Sequence, residues 1–349
     1  MKPYFAFQWH ITDNCDQRCE HCYIFADDKN ICLTEMNFNN MKKVINDCID
    51  MCNKLNRTPY FYITGGDPIL HKNFWDLCQL LKQNEISFGI LGNPFHLNDE
   101  VCKRLVSYGC KKYQLSIDGA RETHDKFRKK GSFDTTIEKI SCIKKAGMYC
   151  AIMSTVSSAN MNEFSEIIDI VVENEVDVFA FGRYCPSNNG NGETFSNGDE
   201  FHIQPLQYKA FLETCYEKYE KYKNRNTHFQ FKDHLWKLFL YEKGIFEIPK
   251  NADKEIIYDG CHCGISHITI LPNGDVYACR RMESKIGNIL ETSIYDIFLG
   301  QTMEKYRDFN KFEKCAKCEL YGFCRGCPAV AYGYTGDMYS SDPQCWKEV

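Results

Sequence analysis

The residues most able to do chemistry in this chain are its cysteines, 21 among 349 residues. The odd count argues against complete disulfide pairing. A cytoplasmic protein cannot hold that many thiols oxidised, so metal binding or catalysis is the better use for them. Two groups have ligand spacing. The first is Cys15-x3-Cys19-x2-Cys22, directly followed by Tyr23. Three close thiolates suit a cubane 4Fe–4S cluster and leave one iron without a protein ligand, the open position that a catalytic metal needs. A structural zinc site is the plainer use of the same loop, with His10 or His21 as its fourth ligand. The second group is Cys261-x-Cys263, then Gly274-x4-Cys279, then Cys315-x2-Cys318-x5-Cys324-x2-Cys327, and finally Cys345. A run as dense as Cys315 to Cys327 is hard to explain by packing. Two Cys-x2-Cys knuckles also make a zinc ribbon, but ribbons lack the Gly-x4-Cys unit and the late seventh cysteine. Cys48, Cys52, Cys78, Cys102, Cys142 and Cys215 lie in helix-like stretches and read as small buried apolar residues.

The elements around these loops alternate. Tyr4–Ile11 reads as a strand. Residues 37–55 carry Met41, Val44, Ile45, Cys48, Ile49 and Cys52 at helical spacing. Further strands are expected over 60–64, 87–91, 113–117, 148–156 and 176–181. Helices are expected over 74–84, 99–108, 133–146, 162–174 and 205–223, two of them stopped by Gly109 and Gly147. Six βα units predict an α/β fold with a parallel sheet, either doubly wound or curved into a barrel, and a barrel would be a partial (β/α)6 one, since six are too few for a complete eight-fold barrel. Residues 187–199 form a Gly/Asn-rich loop, a mobile flap or a plain connector. From Cys261 onward the chain is loop-rich, as expected of a small cysteine-rich C-terminal iron–sulfur domain built around metal rather than an apolar core. The expected division is a core of 1–225, a helical linker of 226–260 and the C-terminal domain of 261–349.

Bulk properties exclude several classes. A net charge of −5 with no basic excess points away from nucleic acid. No apolar run is long enough to span a bilayer, and no targeting segment precedes the first strand, so no membrane partner and a cytoplasmic location are expected.

The loop of Cys15, Cys19 and Cys22 follows the first strand, at the sheet end where active sites of such folds gather. Its spacing resembles the signature of radical S-adenosylmethionine enzymes. That resemblance implies an open iron that chelates the methionine part of S-adenosylmethionine, and a 5′-deoxyadenosyl radical made by one-electron cleavage, with the protein positioning and shielding the chemistry. Other segments resemble the same family. Gly65-Gly66-Asp67-Pro68 looks like the turn that meets the methionine amino group, with glycines allowing close approach and the acid accepting from the ammonium. Ser116-Ile117-Asp118-Gly119 resembles the segment that holds the ribose, Tyr23 adjoins the cluster, and Arg128 could pair with the methionine carboxylate or be a surface arginine. Arg183-Tyr184-Cys185-Pro186 resembles another segment near the site, in which Cys185 departs from the pattern.

The second cysteine group resembles the SPASM extension of the family and covers roughly the last quarter of the chain. Carried over by position, Cys315, Cys318, Cys324 and Cys345 would bind one auxiliary 4Fe–4S cluster, and Cys261, Cys279 and Cys327 the other, with Cys263 either completing it or alternating with Cys261. Three clusters would then be present in all. Relatives with this extension mostly modify peptides or proteins, which implies an anaerobic oxidoreductase that matures a ribosomally made peptide by cross-linking, thioether formation, epimerisation or oxidation. An electron donor such as flavodoxin or ferredoxin is implied too. The first strand starts near Tyr4, which leaves no room for a leader-binding domain, so a separate leader-binding protein, a cleft of this chain or no leader is expected. Arg280 and Arg281 follow Cys279 where sulfatase maturases carry an aspartate base. Two arginines there could greet a carboxylate, in an acidic peptide or in a haem propionate. Tyr184, Cys185 and Arg280 are the candidate catalytic residues. Haem-precursor side-chain modification is the alternative reaction, and a non-catalytic metal-binding module the alternative class.

Overall fold

The computed structural model describes residues 2–25, 33–186, 201–253 and 256–348. The Gly/Asn-rich loop of 187–199 and Cys32 lie outside the described residues. The chain forms two compact units. The first comprises Met1–Ser116, Asp125–Ala151 and Cys263–Arg307, and the second Ile117–His124, Ile152–His262 and Asp308–Val349.

In chain order the strands are β1 (Tyr4–Thr12), β2 (Thr58–Gly65), β3 (Phe88–Leu91), β4 (Cys110–Ser116), β5 (Tyr149–Val156), β6 (Val178–Arg183), β7 (His228–Phe229), β8 (His267–Ile270), β9 (Asp275–Tyr277) and β10 (Lys285–Asn288). Every strand and helix expected from periodicity is present, with no end moved by more than about three residues. The helix expected over 37–55 runs Phe38–Lys54, capped by the Asn37 side chain, which accepts from the Asn40 amide. Its buried stripe holds Met51 in place of the expected Ile49.

In the first unit β1, β2, β3 and β4 are parallel neighbours. Phe5, Phe7, Trp9 and Ile11 alternate along one face of β1 and are buried. Phe7 stacks on Phe61 of β2 at 5.2 Å, and Phe5 meets Phe298 edge-on at 5.1 Å. Gln8, His10 and Thr12 therefore occupy the opposite face. The loop-rich composition after Cys261 concealed something. β8 pairs parallel with β1, and β9 and β10 continue antiparallel as hairpins, so residues 263–307 extend this sheet. Ile268, Ile270, Val276, Ile289 and Ile294 give that segment a genuine apolar core. The strands are only three or four residues long, too short for alternation to stand out among glycines and cysteines.

The second unit takes most of β5, then β6 and β7 as neighbours. Phe164, Phe181 and Phe211 form an aromatic triangle with centroids 5.0–5.5 Å apart beneath the helices Phe164–Glu173 and Pro205–Tyr222. Trp236, on the helix Leu235–Glu242, closes it at 5.7 Å from Phe181. Cys48, Cys52, Cys78, Cys102 and Cys215 are buried in their helices, and Cys142 is half-buried. Among the described residues, no helix is long and apolar enough to cross a membrane.

The turn after β2 is pressed against the loop after β1. Gly66 donates its amide to the Thr12 carbonyl, and Asp67 donates its amide to the Asn14 carbonyl, both at 2.8 Å. Gly65 has φ +139°, and a Cβ on Gly66 would lie 2.1 Å from the Asn14 oxygen. The obstacle is backbone, which cannot swing aside. Gly66→Ala should therefore destabilise the protein by about 3 kcal/mol, measured as a lowered midpoint in thermal or denaturant unfolding. An unchanged midpoint would mean the two loops are not held together this tightly.

Candidate functional site

The first unit assembles the Cys15 loop from three directions. The Cys15 thiol receives the Gln17 amide at 3.4 Å, and the Asn93 side-chain amide is 3.9 Å from it. The Arg128 guanidinium reaches the Cys19 sulfur at 3.9 Å and His21 at 3.5 Å. Glu20 donates its amide to the Phe127 carbonyl at 2.9 Å, which ties the loop to the helix Arg121–Phe127. Every described cysteine is a thiol. Burial pushes Cys15 up to about 11, with the opposing Gln17 amide outweighed and Asp67 and Cys19 adding to the rise. A thiol in that state gives up its proton to a metal rather than to water. Donors aimed at the sulfurs from Gln17, Asn93 and Arg128 suit thiolates bound to iron.

Beside the loop lies the Gly65-Gly66-Asp67-Pro68 turn. Asp67 is completely buried, and neither carboxylate oxygen accepts a hydrogen bond of ordinary geometry. Burial, then the negative charge of Asp16, pushes its pKa up to about 7. Ligand atoms of Asp16, Asp67 and His96 lie within 4.8 Å of one another. A buried carboxylate this close to the exposed carboxylate of Asp16 calls for a cationic group. Asn93 was absent from the expected site. It follows the end of β3, donates to Asp16 at 2.7 Å, and has its carbonyl held by the Tyr113 hydroxyl at 3.1 Å. Its place just past the end of a parallel strand was the available signal.

Arg280 belongs to the same unit. Its guanidinium lies 4.8 Å from the Tyr23 ring centroid, and its Nε is buried without a hydrogen-bond partner. His10, on the β1 face opposite Phe7 and Trp9, is 1% exposed, and burial followed by the charge of Arg280 holds its pKa well below the usual value. It is therefore neutral at pH 7, with Nδ1 unpartnered. Tyr23 keeps 38% of its surface exposed. Burial of its phenol, more than the opposing charge of Arg280, raises its pKa, and Cys22 and Cys279 both add to the rise. Tyr23 thus sits in the electrostatic reach of both cysteines. His10 entered the sequence reading only as a zinc ligand, and the structure gives it these neighbours instead.

Ser116 ends β4 in the first unit. In the second unit, Asp118 is 1% exposed, accepts the Thr155 amide at 2.8 Å and lends its carbonyl to the Asn160 side chain at 2.7 Å. Those bonds fix the β4 exit to β5. Tyr184 donates its amide to the Val156 carbonyl at 2.8 Å and stacks edge-on with Phe201. The Cys185 thiol donates to the Ala329 carbonyl at 2.9 Å.

The C-terminal cysteines divide between the units. Cys315, Cys318, Cys324 and Cys345 lie together in the second. Burial pushes Cys315 up to about 12, reinforced by Cys345 and Cys318, and Cys324 is raised by burial and then by Cys315 and Cys345. Tight turns aim them: Cys318 donates its amide to the Cys315 carbonyl at 3.0 Å, and Cys324 to Leu320 at 2.7 Å. Cys315 lies within charge reach of Cys318, Cys324 and Cys345, as one of four thiolates sharing a cubane cluster would. Cys261 and Cys327 lie in the same unit, with the Cys261 carbonyl held by Arg325 at 2.6 Å. Cys263 and Cys279 lie in the first unit, where both act on the Tyr306 phenol and Cys263 donates to the Ala278 carbonyl at 3.1 Å.

Comparison with known proteins gives these sites a context. Residues 9–171 match the radical SAM superfamily, and residues 261–328 match the SPASM iron–sulfur cluster-binding domain. The chain is 26% identical over 343 residues to the AdoMet-dependent heme synthase of Methanosarcina barkeri, covering 97% of this chain and 95% of that protein. It is 24% identical over 351 residues to the mycofactocin maturase MftC of Mycolicibacterium smegmatis, covering 97% and 81%. Its fold matches the crystal structure of Streptococcus suis SuiB bound to precursor peptide SuiA with a TM-score of 0.73 at 18% identity, over 99% of this chain and 77% of that one. The superfamily match removes the alternative of a non-catalytic metal-binding module. The chain thus carries a radical SAM domain, on a parallel (β/α) sheet of the partial-barrel type with a three-cysteine loop after β1, and a SPASM domain later in the sequence.

Proposed function

We propose that this enzyme abstracts hydrogen from a carboxylate-bearing residue of a ribosomally made peptide, with Arg280 seating the carboxylate. The observation that carries the reading is the buried, unpartnered Nε of Arg280 over the Tyr23 ring, beside a neutral His10 whose Nδ1 is also unpartnered. Buried donors without partners are costly unless a ligand completes them. The peptide is suggested by the maturase relative and by the fold neighbour solved with its precursor peptide.

Cys15, Cys19 and Cys22 would hold one 4Fe–4S cluster. Cys315, Cys318, Cys324 and Cys345 would hold a second, and Cys261, Cys279 and Cys327, with or without Cys263, a third. When bound, the first cluster and S-adenosylmethionine supply a 5′-deoxyadenosyl radical. The residues of the chain do the rest. Asp67 would receive the methionine ammonium beside the close Gly65–Gly66 backbone, and Arg128 would pair with the methionine carboxylate. Ser116 and Asp118 would hold the ribose. Tyr23 would adjoin the cluster, and Tyr184 and Cys185 would serve the substrate. We assign 1–225 to the radical SAM core, 226–260 to a linker and 261–349 to the SPASM domain. A flavodoxin or ferredoxin is proposed as electron donor, with a separate leader-binding protein as a further partner.

A second reading, haem-precursor side-chain modification, is favoured by the heme synthase relative, which this chain matches along nearly its whole length. Propionates would suit Arg280 equally well. Mass spectrometry after incubating the reduced enzyme with a candidate precursor peptide or with a propionate-bearing iron tetrapyrrole separates the readings by which of the two changes mass.

Four outcomes test the proposal. Anaerobically purified protein should carry about twelve irons and release 5′-deoxyadenosine from S-adenosylmethionine. Cys19→Ala should abolish that release while keeping about eight irons, and an undiminished yield would place the active cluster elsewhere. Arg280→Gln should raise KM for the substrate about tenfold or more while leaving substrate-free 5′-deoxyadenosine release unchanged. A normal KM in that variant removes Arg280 from substrate binding. Finally, Asp67 must be ionised to receive an ammonium, and its pKa stands at about 7. Affinity for S-adenosylmethionine, measured by equilibrium binding, should therefore rise between pH 6 and pH 8, and Asp67→Asn should flatten that rise.

A further inference from the structure

Arg183 ends β6 with its side chain wholly buried, and in the second unit it bonds to polar side chains from distant parts of the sequence. Its Nε donates to Asp233 at 2.9 Å. Its two terminal nitrogens grip Asp342 as a fork, at 2.7 and 2.8 Å, and one of them also donates to Gln344 at 2.9 Å. Burial works against the guanidinium charge, but Asp233 and Asp342 outweigh it, and the pKa lies well above the usual arginine value.

Asp342 has other duties. The oxygen that meets Arg183 Nη2 also accepts the backbone amide of Cys327 at 2.8 Å. The other oxygen accepts the Gln344 amide at 3.0 Å, and the Asp342 carbonyl accepts the Cys345 amide at 3.0 Å. Gly326, at φ +59°, is pressed so close that a Cβ there would lie 2.6 Å from the Asp342 Cβ. One residue thus fixes the backbone at Cys327 and at Cys345, and a buried arginine fixes that residue. Two positions beyond Cys327, the Ala329 carbonyl takes the Cys185 thiol, a second bond to the segment that leaves β6. A buried ion pair is seldom worth its desolvation as a source of stability, so its placement on two cysteines calls for a use.

We propose that Arg183 and Asp342 are a positioning pair for the auxiliary iron–sulfur clusters. The pair fixes the amides of Cys327 and Cys345 and supplies the local charge that sets the clusters' reduction potentials, leaving the cluster at Cys15, Cys19 and Cys22 unaffected. The inference rests on the assignment of Cys327 and Cys345 as cluster ligands made above. Buried charge and amide dipoles next to the sulfurs are established means of tuning such potentials.

The test is a reductive titration of the anaerobic full-length holoenzyme followed by electron paramagnetic resonance. The signal altered by adding S-adenosylmethionine marks the Cys15 loop and serves as internal reference. Asp342→Asn keeps the shape of the side chain and an acceptor for the Cys327 amide but loses a negative charge, so an auxiliary midpoint should rise. Arg183→Gln loses a positive charge, so the same midpoint should fall. The expected size is about a tenfold change in the reduced-to-oxidised ratio at fixed potential, 59 mV for a one-electron couple. Arg183→Lys should return the midpoint most of the way. If Arg183→Gln does not fold, Asp342→Asn decides alone. An unmoved midpoint in Asp342→Asn, a shift of the same sign in both variants, or a shift shared by the reference signal would overturn the proposal. Wild-type protein that shows the reference signal and no auxiliary signal would overturn it together with the ligand assignment, while leaving S-adenosylmethionine cleavage intact.

Discussion

Between the end of β1 and the end of β2 there is no space for a side chain, and the geometry of the Cys15 loop depends on that contact. Gly65 and Gly66 bring their backbone so close to the Thr12 and Asn14 carbonyls that a Cβ on either would lie 2.1 Å from oxygen. The amides of Gly66 and Asp67 bond to those same carbonyls. A loop held by backbone alone has few ways to relax, so Cys15 begins from a fixed point. The Asp67 carboxylate, one residue past the glycines, is carried into the interior without a bonded partner. The close approach thus explains both the aim of the cysteines and the raised pKa of the acid, which a looser turn would leave in water.

The charges of the first unit are arranged around that fixed point. On the Asp67 side two carboxylates and His96 converge, and the surroundings favour a cation. Around Tyr23 the reverse holds. Arg280 brings positive charge, and burial keeps His10 neutral, so the surroundings favour an anion. In the function proposed above, the cofactor's ammonium takes the first side and the substrate's carboxylate the second, so the two do not compete.

The second unit solves a different problem. The cysteines proposed there as cluster ligands lie on loops, where few apolar contacts are available to hold a backbone in place. The buried Arg183 pairs with Asp233 and Asp342, and Asp342 converts that rigidity into hydrogen bonds to the amides of Cys327 and Cys345. Tight turns at Cys315–Cys318 and Leu320–Cys324 do the same work locally. Rigid placement of sulfur matters for electron transfer, because the potential of a cluster follows the dipoles and charges around its ligands.

Much of this was legible in the sequence. The cysteine spacings are local, and so is the alternation of β1 to β6 with helices, because periodicity and capping signals act over a few residues. The Gly65-Gly66-Asp67 turn could be read too, since glycine types at a strand end announce a close approach. What the tertiary structure alone decided depends on contacts between residues far apart in sequence. The extension of the first sheet by β8, β9 and β10 was hidden, because strands of three or four residues carry no readable period. The partners of His10, Asn93 and Arg280 were invisible for a related reason: each is an ordinary residue until burial removes water and brings an opposite or like charge beside it. Arg183 could be singled out by its motif, but its bond to Asp342, 159 positions away, exists only in the fold. Ligand types and spacing are properties of a sequence, whereas desolvation and charge pairing belong to a packed interior.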